Sequence, residues 1–169
     1  MDPVNTLPMD QLLPHRWPMI LIDQMLTATP AETVCLVTIR PDSPFLEAEG
    51  VPAYVGIEMM AQAIAAHGGY LSKTKGEAVK TGFLLGTPKF KTHTPWFPLG
   101  QTLRIEVKED WGDDQLMRFT CRILDHGDKR LLQEAGLNVF QPRNLDTYLQ
   151  ENRGGNGADG GGATGDEGT

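Results

Sequence analysis

The chain has 169 residues, 40% of them hydrophobic and 22% charged, and carries a formal net charge of −7. That is enough for one core with a short appendage, and too acidic for general nucleic-acid binding, which needs a basic footprint. No run of about 18 or more apolar residues is present, and the opening Met-Asp-Pro-Val-Asn lacks the basic and apolar regions of a secretory leader, so a cytoplasmic protein is expected.

In chain order, the first informative segment is Leu13-Pro14-His15-Arg16-Trp17-Pro18-Met19. A histidine held between two prolines sits on a stiff, non-helical stretch, suited either to a general base or to tying loops together. Met19 to Leu26 is an apolar run and Thr33 to Ile39 is rich in β-branched residues, and both predict strands. From Tyr54 to Leu71 the sequence YVGIEMMAQAIAAHGGYL is rich in Ala and Met and apolar on nearly every face, as a buried helix is. After it, Thr81 to Lys91, Leu103 to Lys108, Leu116 to Leu124 and Leu131 to Phe140 predict strands, the last two joined by a turn at His126-Gly127-Asp128. Two strands, one long helix and four antiparallel strands imply an α+β arrangement with the sheet wrapped around the helix. A short helix from Leu145 to Gln150 closes a domain spanning 1–150. The remainder, 151–169, is acidic and Gly-rich and is expected to be disordered, because it cannot bury enough surface to offset its ordering entropy.

Glu58 is the most informative residue. Its neighbours Val55, Ile57, Met59, Met60 and Ala61 are all apolar, so its carboxyl group is expected to be desolvated, which suits a group that gives or takes a proton near neutral pH. The competing reading is a Glu placed near a helix N-terminus by the dipole, or one paired with a base from elsewhere. Gln62 lies one turn further along the same face and is placed to orient that carboxyl or a substrate. The backbone amides from Ala53 to Gly56 head the helix and suit a developing oxyanion, although Gly56 equally permits close packing of helix on sheet. His67 falls two and a half turns after Glu58, facing away from it, and reads as a core or interface histidine. Cys35 and Cys121 read as reduced core residues.

Lys73, Lys75, Lys80, Lys89 and Lys91 cluster against Glu77 alone, which makes either a basic patch for an acidic partner or a solvated loop. There is no GxxxxGK[ST], no strand followed by GxGxxG, no HExxH and no CxxC pair, so neither a metal nor a cofactor is expected.

Two motifs in order carry a resemblance. LLPHRWPMILIDQM, residues 12–25, is similar to the LPHRYPFLLVDRV opening of FabZ-type 3-hydroxyacyl-[acyl-carrier-protein] dehydratases, and GIEMMAQAIAAHGGY, residues 56–70, is similar to their EAMAQ helix. A third stretch resembles the family's FRRPVVPGDQL segment, with Phe90, Pro98, Gly100 and Leu103 matching. The resemblance implies a hotdog fold, a curved antiparallel sheet around a central helix, paired into homodimers. It also implies a carrier-bound 3-hydroxyacyl substrate and no cofactor. By position Glu58 corresponds to the family's helix carboxylate, Gln62 to its helix glutamine, and Ala53 to the glycine whose amide sits in the oxyanion hole. The family's catalytic histidine has no counterpart, because Pro44 to Ala53 contains none. Three readings stay open. The chain is a FabZ-like dehydratase, such as those of aryl polyene or other polyunsaturated lipid pathways, with His15 as base. Alternatively it is a hotdog thioesterase acting through Glu58, or a noncatalytic acyl-binding subunit. On the first reading the lysine cluster attracts the acidic carrier protein.

Overall fold

The computed structural model describes residues 7–153. The elements are β1 (Gln24–Ala28), β2 (Glu32–Thr38), β3 (Val51–Pro52), α1 (Gly56–Thr74), β4 (Phe83–Thr92), β5 (Trp96–Phe97), β6 (Thr102–Gly112), β7 (Leu116–Asp125), β8 (Leu131–Phe140) and α2 (Leu145–Arg153). An antiparallel six-stranded sheet in the order β1-β2-β6-β7-β8-β4 curves around α1. Most of the tail expected to be disordered lies outside the described residues, and its first three residues belong to α2.

Period-two patterning explains the sheet. In β6, Leu103, Ile105 and Val107 are buried toward α1 while Arg104, Glu106 and Lys108 point outward, where Arg104 Nε meets Glu106 Oε1 at 2.8 Å. Paired across from them in β7, Ile123 and Cys121 are equally buried. Cys35 and Cys121 are both free, and burial pushes their thiols up to about 12, so they stay protonated and unreactive.

The helix is buried because little of its surface is polar. Met59, Met60, Ala63 and Ala66 are all in the core, and burying each methionine contributes about 1.5–3 kcal/mol. α1 approaches its neighbours closely at two glycines. A Cβ at Gly56 would sit 2.0 Å from Gln133 Oε1 of β8, and one at Gly69 would sit 2.1 Å from the backbone oxygen of Leu12.

The apolar run from Met19 does not begin as a strand. Residues 19–23 precede β1 as an irregular segment, because Gln62 of α1 captures their backbone: Leu21 N–H donates to Gln62 Oε1 and Gln62 Nε2 donates to Met19 O, each at 2.8 Å. The two-residue strands β3 and β5 pair with each other beside the helix entry and are too short for any sequence periodicity. α2 is three residues longer than the expected helix. It is capped by Asn144, whose Oδ1 accepts from Thr147 N at 3.0 Å, and Tyr148 packs on Phe83 and Phe140. Among the described residues, no helix is long and apolar enough to cross a membrane.

Candidate active site

His15 and Glu58 come together. The proline-flanked segment folds across the first turns of α1 and sets His15 Nε2 3.5 Å from Glu58 Oε1. Arg16 holds this loop in shape: its Nη1 donates to the carbonyl oxygens of His15 at 2.8 Å and Leu13 at 3.2 Å. One turn along α1, Gln62 is fully buried and uses its whole side chain, accepting from Leu21 N and donating to Met19 O and, at 2.9 Å, to Glu58 Oε1. It therefore orients the carboxylate and anchors the loop that carries His15 at the same time. His15 Nδ1 is buried and has no hydrogen-bond partner among the described residues.

Glu58 itself is less enclosed than its apolar neighbours imply. Its side chain is 42% exposed, because the helix turns it away from Met59 and Met60 toward a cavity of about 270 Å³. On α1 that cavity follows a stripe of Glu58, Ala61, Ala65, Gly68, Ser72 and Lys75, spaced three or four residues apart, and Met117, Phe119 and Val139 of the sheet form its other wall. The small side chains of Ala61, Ala65 and Gly68 are what leave the space open. His67 also borders this cavity, although helical spacing alone points it away from Glu58. It is a core histidine as well, 2% exposed, with its ring edge on Phe119.

The helix entry corrects the reading of Ala53 and Gly56. Ala53 N–H is already donated to Pro95 O at 2.9 Å, and Gly56 N–H bonds back to the turn, to Ala53 O. Neither amide is free for an oxyanion. Ala53 is instead fastened by Gln133, whose Nε2 donates to its carbonyl, and Gly56 leaves room for the same glutamine. Gln133 was not singled out in the sequence, because a lone glutamine in an apolar strand carries no pattern. The amides of Tyr54 and Val55 remain in this first turn, where helix geometry supplies few intrahelical acceptors. No side chain caps this end.

The lysines separate. Lys75 and Lys80 border the far end of the cavity, with Glu77 and Glu109 beside them, and Lys73 is exposed at the end of α1. Lys80 Nζ is 3.5 Å from Glu77, and Lys89 on β4 is paired with Glu134 at 3.2 Å, holding that carboxyl below its usual range. Lys91 adds to the same field. Of the five, Lys75 and Lys80 line the cavity, and glutamates stand beside Lys80, Lys89 and Lys91. Among the described residues no group of three or more His, Cys, Asp or Glu is placed to hold a metal ion.

Comparison with known proteins places the chain in a family. Residues 7–150 match the model of the ApeP-like family, described as ApeP dehydratase. The chain belongs to the ApeP-like dehydratase family. A chain of a solved structure, the dehydratase heterocomplex ApeI:P from Xenorhabdus doucetiae, is 34% identical with a TM-score of 0.79, over 86% of this chain and 97% of that one. The fold of this ApeP-like chain is accordingly the hotdog. The FabZ 3-hydroxyacyl-[acyl-carrier-protein] dehydratases of Bordetella petrii and Bordetella pertussis are 29% and 30% identical over 74% of this chain and 87% of theirs.

Proposed function

We propose that this chain removes water from a 3-hydroxyacyl thioester carried on acyl carrier protein, giving the trans-2-enoyl thioester, with His15 as base and Glu58 as acid. The observation that carries the assignment is the His15 to Glu58 approach of 3.5 Å at the head of the cavity, with Gln62 fixing the carboxylate and the segment that follows His15. Two proton-transfer groups this close can serve the adjacent C2 and C3 of one substrate.

In the proposed sequence His15 Nε2 takes the C2 proton, and the electron pair moves toward the thioester carbonyl. The oxygen that gains charge lies against the start of α1, where the Tyr54 amide and the helix dipole favour it. As the pair returns to form the C2–C3 double bond, Glu58 gives its proton to the departing 3-hydroxyl, which leaves as water. His15 then holds the proton and Glu58 has lost one, so transfer across their contact restores the starting state. No redox change or added reactant is required.

The chain works as a dimer of two copies in the cytoplasm, with the carrier protein approaching the lysines near the cavity. In support, β4 is an edge strand whose Leu84 and Leu85 are 41% and 60% exposed, a combination that invites pairing. The Xenorhabdus relative is a heterocomplex. Mass measurement of the purified chain alone separates self-pairing from a need for a second dehydratase.

The deciding assay follows enoyl absorbance and free thiol together on a 3-hydroxyacyl carrier-protein thioester. Wild type forms enoyl product without thiol, and Glu58→Ala and His15→Ala each lose about 10²–10⁴-fold in rate while keeping their thermal unfolding midpoint. Release of thiol, or an undiminished rate in His15→Ala, overturns the assignment.

A further inference from the structure

The wall of the same cavity includes a group that the proposed reaction does not use. His67 Nδ1 is 2.8 Å from Thr33 Oγ1, a residue 1% exposed, while His67 Nε2 is buried with no hydrogen-bond partner among the described residues. Either atom can donate at this contact; with the Thr33 hydroxyl donating to Nδ1, the ring's own hydrogen lies on Nε2. Burial pushes this imidazole down to about 4, so the ring is neutral near pH 7. Phe119 stands at 80° to it with centroids 6.0 Å apart and supplies no lone pair. A buried donor left in this state is normally completed by a ligand or an ordered water.

Its position in the cavity gives the donor meaning. His67 follows Glu58 by nine residues, about 13.5 Å along the axis of α1. Between them the lining is apolar, through Ala61, Ile64 and Ala65; beyond, it becomes polar again at Ser72, Glu109 and Gln141. An alkyl chain alone would satisfy the middle of this cavity and leave His67 unpaired.

We propose that the cavity holds the thioester lengthwise along α1, and that His67 Nε2–H donates to a substrate oxygen displaced from Glu58 by about 13.5 Å along the helix axis, making His67 a determinant of which thioesters bind. This rests on reading the cavity as the thioester site. Two parts of such a ligand can present the acceptor: an oxygenated far end of the acyl group, or an amide carbonyl of the pantetheine arm.

The test is calorimetric titration of the full chain with unreactive saturated thioether analogues. Medium-length acyl chains with and without a terminal hydroxyl are compared, as are arms of pantetheine and of the shorter N-acetylcysteamine. Wild type prefers the analogue that brings an acceptor to His67 by about five- to tenfold in Kd. His67→Phe, a flat ring without the donor, erases that preference, and His67→Gln, which keeps an N–H, restores part of it. A preference for the hydroxyl assigns the oxygen to the acyl tail, and a preference for pantetheine assigns it to the arm. Equal affinities throughout in wild type, a preference unchanged in His67→Phe, or no binding of any analogue overturns the proposal. The wild-type comparison does not depend on a variant folding. Because binding needs no turnover, a protein that shows the pattern yet forms no enoyl product would fault the catalytic assignment and leave the His67 contact standing.

Discussion

The side-chain oxygen of Gln62 accepts the Leu21 amide hydrogen at 2.8 Å across 41 residues of sequence, while its nitrogen reaches Met19 O and Glu58 Oε1. One buried amide thus joins the histidine-bearing segment to the helix that carries the carboxylate. Gln62→Leu keeps the volume but leaves a backbone donor at Leu21 and an acceptor at Met19 unpaired. It should cost about 2–6 kcal/mol in urea unfolding, at about 1–3 kcal/mol per orphaned group. Enoyl formation by the folded fraction should fall more steeply in kcat than in KM, since the proton-transfer pair is disordered. A variant with wild-type kcat would show that Gln62 does not position the pair.

Adjacent glycines on α1 give opposite predictions. A Cβ at Gly69 meets the Leu12 backbone at 2.1 Å, and backbone cannot rotate away, so Gly69→Ala must push the segment leading to His15. It should destabilise by about 1–3 kcal/mol and reduce activity. At Gly68 nothing lies within 4 Å. Gly68→Ala should gain up to about 1 kcal/mol from helix propensity while its methyl enters the cavity. Thermal unfolding of the two variants, with acyl-analogue affinity for Gly68→Ala, checks both.

Acid should weaken the fold through His67. Its pKa is about 4 in the folded chain and about 6.5 unfolded, so the unfolded state binds the proton first. The stability associated with a neutral His67 is therefore full above about pH 6.5 and is lost as pH falls toward 4, at up to about 1.4 kcal/mol per pH unit. Asp125, lowered by its hydrogen bond from Gln101, and Glu134, lowered by Lys89, act further down, below about pH 4. Urea midpoints of wild type and His67→Gln between these limits should converge on acidification. Parallel curves would remove His67 as the cause.

Carrier binding should distinguish the lysines that the fold has separated. Lys89 is engaged by Glu134, whereas Lys75 borders the cavity and Lys73 stands exposed near it. Charge reversal at Lys73 or Lys75 should weaken binding of the acidic carrier protein severalfold at low salt, and the difference should shrink as ionic strength rises. Lys89→Glu should have the smaller effect on affinity. Salt-independent binding would exclude an electrostatic dock at this end.

What the amino-acid order determined by itself was whatever depends on local pattern. Alternation placed β7 and β8 within a residue and the start of β6 likewise, because one buried face imposes period two, while β6 runs four residues past Lys108 where the burial alternation lapses. The Ala- and Met-rich run marked α1 and with it Glu58 and Gln62, and the proline-flanked His15 stood out because its neighbours restrict it. Tertiary structure alone decided how these pieces meet. The distance from His15 to Glu58 depends on a loop folded over the helix. Whether Ala53 and Gly56 have free amides depends on Pro95 and on a turn too tight to read from composition. The exposure of Glu58 depends on a cavity bounded by strands more than 50 residues away. Hydrogen bonds and cavities are properties of surfaces brought together, and one-dimensional spacing records only the faces that each element offers.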